Sequence, residues 1–436
     1  MTKQRKDINT ISDIELDAYI HALEILRARS AADPDDPTGY DYQAALHNDP
    51  AVGPCEHGSD LFLAWHRSHL YYFERLLQQS DPDVTADVTI PYWDWIHLED
   101  DGAKFPARFA LPKLSSPRST APAALPPDTL KIVNSENDIA EFGGYPFGDP
   151  RGDYGRLEYG PHNTMHGSYI GGAMGNPSTA AEDPIYFSFH CFIDLIWDQW
   201  QRRRGYPAPT SSTASLRGFL DKPAHAVQDF HTVSALGYEY LHTPKLTAAF
   251  AQPGGPTPPQ PSDAGQPMLP QFSNTLESLA QHRALAWRLP NVESSKRRQL
   301  VALRGIAVPT AGSYMLRAYI HPRSLDFAAL PATEKETYFL DYLTLWLSHG
   351  SHGPTGHGAH GGHGGHGDPG RPLHPPSATV RFDATEMLHK LAIYPISDLT
   401  LTLVYLPLTG ADGVPQDPSA LMNQVKIAEV LLQEAQ

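Results

Sequence analysis

Cysteine is scarce in this chain. Only Cys55 and Cys191 occur among 436 residues, so a disulfide framework is excluded and a cysteine-based zinc site is not expected. No apolar run approaches the roughly 20 residues needed to cross a bilayer. Positive charge is not in excess either. The 49 acidic residues face 33 basic ones, a formal net charge of −16, and no long basic run occurs. Such a chain is a poor candidate for binding nucleic acid or an anionic membrane surface. The N-terminus, Met1-Thr-Lys-Gln-Arg-Lys-Asp-Ile, lacks the apolar segment of a secretory signal, and the expected location is cytoplasmic. Hydrophobic residues make up 41% and charged ones 19%, the composition of a folded chain. At 436 residues the chain exceeds the usual span of one hydrophobic core, so two domains are expected.

Apolar periodicity divides the chain. Residues 12–29 read as a helix opened by a Ser12/Glu15 capping box, with Ile14, Tyr19, Leu23 and Leu26 at helical spacing. Further helices are expected over 57–79, 159–169 and 184–203, with a Pro-, Ser- and Gly-rich surface excursion over 105–150. A Pro/Gly-rich linker follows at 251–275, densest over 252–270. Beyond it the period shifts to two. Val380 and Phe382 alternate with polar neighbours, as do Leu399, Leu401, Leu403 and Tyr405, and 314–320 and 337–347 are strand-like. The expected fold is a mainly helical domain over 1–250 and a β-rich, sandwich-like domain over 276–436. Within the latter, 349–367 is a His/Gly tract carrying His349, His352, His357, His360, His363 and His366, a composition that cannot pack a core.

Histidine is abundant, with 22 residues. His57 and His66 are nine apart, which on one straight helix would point them in opposite directions. His57 must therefore precede a helix that contains His66, with His47 reaching in from elsewhere. Spacing alone leaves these three open between metal ligands and unrelated histidines. His162 and His166 stand at i, i+4, one face of a helix, a spacing that structural pairs share with metal sites. His190 sits in an apolar stretch, as a core histidine or a ligand. Asp194, four residues on, is placed to orient it. Imidazole ligation favours copper, zinc, iron or nickel over magnesium or calcium.

Four segments together resemble one family. His57-Gly-Ser-Asp-Leu-Phe-Leu-Ala-Trp-His-Arg, Ile90-Pro-Tyr-Trp-Asp-Trp, His162-Asn-Thr-Met-His, and Asp183-Pro-Ile-Tyr-Phe with His190, Asp194 and Trp197 behind it are similar to the two copper regions of tyrosinases, catechol oxidases and molluscan haemocyanins. The likeness runs over about 1–245 in consistent order. It implies a binuclear type 3 copper centre, with one copper on His47, His57 and His66 and the other on His162, His166 and His190. It implies dioxygen and small phenols as partners. O-diphenols would be oxidised to o-quinones, and monophenols would be hydroxylated as well. Cys55-Glu-His57 resembles the Cys-x-His of relatives that link the two side chains by a thioether; a free buried thiol is the alternative. Glu158 and Asn163 match a pair that holds a water to deprotonate incoming phenols, the alternative being polar helix surface. Arg5 and Tyr238-Glu-Tyr240 resemble an arginine and a tyrosine motif that pack together where the catalytic domain closes. A β-rich domain in this position keeps many relatives latent.

Four departures stand out. Phe189 precedes His190 where many relatives have a second histidine, Pro177 stands near where plant enzymes place a phenylalanine over the site, and Gly167 offers no side chain to steer a substrate. His69, three residues after His66, replaces a common aromatic and is expected beside the ligands or at the surface. Two other readings follow from the same resemblance, an o-aminophenol oxidase and a haemocyanin-like oxygen carrier. A third, copper storage or sensing, rests on the His/Gly tract. Oligomeric state is left open by the sequence.

Overall fold

The computed structural model describes residues 2–47, 55–98, 103–120, 125–126, 129–146, 149, 154–207, 210–211, 213–217, 224–251, 284–289, 299–307, 312–347, 378–392, 395–406 and 425–434. The linker expected over 252–270 and the His/Gly tract over 349–367 lie outside them.

The first region is helical. Helix α1 (Asp13–Ala32) starts at the expected box: the Ser12 hydroxyl accepts from the Glu15 amide, and the Glu15 carboxylate accepts from the Ser12 amide at 2.8 Å. A short α2 (Tyr40–Ala45) leads to α3 (Phe62–Ser80), and α7 (Ile185–Arg203) packs against α3. Between α3 and α7 lie α4 (Pro82–Thr85), α5 (Thr129–Ser135) and α6 (Ile139–Gly143). Both long helices are buried nearly all round, because they form the centre of the bundle rather than one wall of it. Strand β1 (Lys3–Arg5) pairs in parallel with β4 (Tyr238–Tyr240), stitching the two ends of the helical region together, and β2 (Ser215–Arg217) pairs with β3 (Ala224–Ala226). α8 (Pro244–Ala251) follows β4.

The excursion expected over 105–150 is not confined to the surface. Phe109, Leu114, Ile132, Val133 and Phe142 are fully buried, and Phe142 stacks on Trp200 at 4.6 Å. Isolated apolar residues in a Pro-rich stretch carry no period, so their burial was not legible in sequence.

The second region is all antiparallel. One sheet has the order β5 (Ala284–Arg288), β10 (Leu399–Leu406), β7 (Gly312–Pro322), β8 (Phe339–Leu347). The other has β11 (Glu429–Glu434), β6 (Gln299–Ile306), β9 (Ala378–Asp383). Leu316, Ala318 and Ile320 of one sheet and Val301, Val380 and Phe382 of the other share one core, as inward positions of a sandwich do. Tyr154 and Tyr159 of the helical region belong to that same core. Around them, the Tyr159 hydroxyl donates to the Arg381 carbonyl at 2.6 Å, and Arg156 pairs with Asp341. The β domain is thus seated on the segment that carries His162. Among the described residues no helix is long and apolar enough to cross a membrane.

Candidate metal centre

Six imidazoles converge from four elements. His47 follows α2, His57 precedes α3, His66 is inside α3, His162 and His166 lie on the 158–170 segment, and His190 is in α7. All six are 6% exposed or less. Nitrogens of His162, His166 and His190 lie within 4.8 Å of one another, as do those of His57, His66 and His162, and those of His47, His66 and His190. The rings form one continuous cluster rather than two separate trios. His66 even stacks parallel to His190 at 4.3 Å.

The 158–170 segment is not the plain α-helix that the i, i+4 spacing implied. Glu158–His162 and Met165–Ile170 are π-helical, with i→i+5 bonds from the Asn163 amide to the Glu158 carbonyl and from Gly171 to the His166 carbonyl. Pro161 has no N–H to give the tighter ladder, and such widened turns occur mostly at functional sites. The wider turn still sets His162 and His166 side by side, ring centroids 4.6 Å apart. Gly171 ends the segment at φ +62°, a left-handed conformation that suits glycine. Gly58 at φ +62° makes the corresponding turn just after His57.

Five of the rings are oriented through Nδ1. His47 donates to the Pro177 carbonyl at 2.7 Å, His57 to Glu158 at 2.9 Å, His66 to the Phe62 carbonyl at 2.8 Å, His162 to the Asn163 side-chain oxygen at 2.8 Å and His166 to the Met174 carbonyl at 2.9 Å. Each leaves its Nε2 lone pair for the centre of the cluster. His47 and His57 then face each other Nε2 to Nε2 at 3.4 Å, and His166 faces His190 at 3.1 Å. For His47 and His57, both donating through Nδ1, two lone pairs that close are unfavourable unless a cation lies near both. Nε2 of His66 is buried with no hydrogen-bond partner among the described residues. Burial, followed by the neighbouring imidazoles, holds His66, His166 and His190 well below the usual imidazole range. Burial brings His162 to about 3. Neutral, buried, nitrogen-only donors fit copper and exclude a hard-cation site.

Glu158 and Asn163 are buried, not helix surface. Glu158 accepts from both the His57 ring and the Gly58 amide at 2.9 Å. The Asn163 side-chain Nδ2 donates to the Thr344 carbonyl of β8 at 2.7 Å, and the Thr164 and Thr344 hydroxyls meet at 2.9 Å. Cys55 is a free, buried thiol whose sulfur lies within 4.8 Å of ring nitrogens of His47 and His57. Burial pushes that thiol well above its ordinary pKa, so it is protonated. His69 is not a surface residue. It is 1% exposed, with Nε2 donating to the Gln43 carbonyl at 3.0 Å.

Asp194 does not orient His190. Its carboxylate accepts from Arg67 at 2.5 Å and from the Tyr238 and Tyr240 hydroxyls at 2.6 Å each, with Arg5 at 3.5 Å. Four donors on other elements outcompete one imidazole on the same helix. The expected packing of Arg5 on the tyrosines is present, its guanidinium 3.7 Å from the Tyr238 ring centre. Sequence reasoning missed the backbone carbonyls of Met174 and Pro177, because a main-chain acceptor leaves no mark in residue identity.

Residues 37–122 and 110–203 match the family model of the common central domain of tyrosinase. The chain is similar over this stretch to the tyrosinases and polyphenol oxidases, type 3 copper proteins. A tyrosinase of Hahella sp. (strain CCB-MM4) is 30% identical over 300 residues, 55% of this chain and 63% of that protein. Hemocyanin 1 of Megathura crenulata is 26% identical over 288 residues, 55% of this chain and 8% of that protein. The chain spans 57–63% of the length of three curated tyrosinase relatives. The structure of latent apple tyrosinase shares the fold, with a TM-score of 0.67, 20% identity and coverage of 100% of this chain and 97% of that one. Members of the family carry a binuclear type 3 copper centre, and the six imidazoles here have the donor chemistry it requires.

Proposed function

We propose that the chain is a copper oxidase that uses dioxygen to oxidise o-diphenols to o-quinones, and that it also ortho-hydroxylates monophenols. The observation that carries this reading is the convergence of six buried imidazoles, five of them locked through Nδ1. His47, His57 and His66 would hold one copper, and His162, His166 and His190 the other. When bound, the pair supplies the two-electron redox chemistry with dioxygen. The protein's part is geometry and protons. The Nδ1 partners fix ring angles, and burial keeps bulk solvent away from the imidazoles. Glu158, beside His57, accepts the phenol proton through a water it holds with Asn163, because a free phenol near pKa 10 does not ionise alone at neutral pH.

Oxygen uptake by copper-loaded protein on monophenols, o-diphenols and o-aminophenols tests the reading. Turnover on o-diphenols is expected, and turnover on aminophenols alone would reassign the substrate. Glu158→Gln should depress monophenol hydroxylation more than diphenol oxidation, since catechols are more acidic; equal losses would make Glu158 structural.

Contact of β8 with Asn163 and Thr164, next to His162, favours one second reading, an oxygen carrier. Reversible oxygen binding without turnover, persisting after cleavage between the two domains, would support the carrier. Turnover that rises on cleavage supports a latent enzyme.

A further inference from the structure

Five clustered histidines are oriented by a hydrogen bond at Nδ1; His190 is not. Its Nδ1 is buried and has no hydrogen-bond partner among the described residues. Yet its Nε2 points into the cluster, 3.1 Å from that of His166. An imidazole turns about two side-chain bonds, and the second is a broad torsion, so packing must set the angle. Six rings surround it. His47, His66, His162 and His166 are themselves part of the cluster, His66 parallel at 4.3 Å, and Phe189, edge-on at 4.9 Å, is its neighbour in sequence. The sixth, and with His66 the nearest, is Tyr186, at 4.3 Å and 46°, one turn earlier on α7.

Tyr186 has two further properties. Its ring also meets His47 at 4.9 Å, so it touches a histidine of each proposed trio. Its hydroxyl lies 3.3 Å from Nδ1 of His69 on α3. Nε2 of His69 lies 3.0 Å from the Gln43 carbonyl, which only accepts, so Nε2 carries the proton and Nδ1 accepts from Tyr186. Gln43, His69 and Tyr186 thus form a buried relay from α2 through α3 to α7.

We propose that Tyr186, anchored by His69, is the positioning residue for His190, setting by ring packing the angle that a hydrogen bond sets for the other five. The inference rests on the reading of the six histidines as copper ligands. It makes the third ligand of one copper depend on a side chain that never touches metal.

The test uses full-length, copper-loaded protein. Copper per chain is followed during dialysis against a chelator, and thermal unfolding of the metal-free protein is measured in parallel. Tyr186→Leu removes the ring, and one of the two coppers should leave about tenfold faster than in wild type while the other keeps its rate. Tyr186→Phe keeps the ring and cuts the anchor, so a smaller acceleration of the same copper, about threefold, is expected. Equal acceleration of both coppers, or a lower unfolding temperature with unchanged release, would show a structural role and overturn the proposal. Should Tyr186→Leu fail to fold, the His69→Phe/Tyr186→Phe pair keeps the volume apolar and leaves neither partner unpaired. Release of one copper faster than wild type from that pair supports the proposal; release at the wild-type rate overturns it. Wild-type protein holding fewer than two coppers, or His190→Ala holding both, would instead defeat the copper-site reading, and these controls tell the two failures apart.

Discussion

Asp194→Asn is the sharpest probe of how the bundle is held together. The carboxylate is 3% exposed and accepts from Arg67, Tyr238 and Tyr240, with Arg5 at 3.5 Å. Asparagine fills the same space, so no cavity forms and the loss is electrostatic. Arg5 keeps Glu74 at 2.9 Å, but among the described residues Arg67 has no other carboxylate in ion-pair range. Breaking a buried pair by neutralising one partner costs about 3–5 kcal/mol. For a domain of this size each kcal/mol moves Tm by about 2–4 °C, so a fall of about 6–20 °C is expected. Thermal unfolding by circular dichroism measures it, with copper per folded chain as the companion reading. Copper should be unchanged, because Asp194 touches no clustered histidine. A Tm within about 2 °C of wild type would refute the energetic reasoning. Selective loss of one copper from folded protein would restore Asp194 as the partner of His190.

Two further predictions concern protonation and the thiol. Burial holds His69 and His162 at about 3, against 6.5 for a free imidazole, so between those values the unfolded chain binds more protons than the folded one. Metal-free protein should therefore lose stability as pH falls below about 6.5, by up to about 1.4 kcal/mol per pH unit per such histidine. His69→Phe should flatten that slope in Tm against pH; an unchanged slope would remove His69 from the account. Cys55, protonated and close to His57, should form the thioether only once copper is loaded and dioxygen is present to take the two electrons and two protons released. Intact mass should then fall by two hydrogens, and alkylation of both cysteines in denatured holoprotein would rule the link out.

The fold class was readable because amphipathic spacing and alternation are written in residue type: the helices over 13–32 and 185–203 and the strands over 378–383 and 399–406 fall where the periods placed them. The candidate ligands were singled out by resemblance alone. Spacing left His47, His57, His66, His162, His166 and His190 open, and the likeness of four segments to known copper regions picked them out.

What the sequence did not contain is everything decided by who arrives from elsewhere. Asp194 stands one turn from His190, which is all that one-dimensional spacing reports; only packing brings Arg67 and two tyrosine hydroxyls to it first. The carbonyls that orient His47 and His166 belong to the main chain, and any residue has one. The first π-helical turn contains Pro161, and neither turn follows from the His162–His166 spacing, which an α-helix satisfies equally. The hydrogen bond from Asn163 to Thr344 joins positions 181 apart in the chain, a contact that no local pattern encodes. Sequence determined which groups could bind metal, because that is intrinsic chemistry. Tertiary structure decided which way each ring faces, because orientation is set by hydrogen bonds and packing between distant segments.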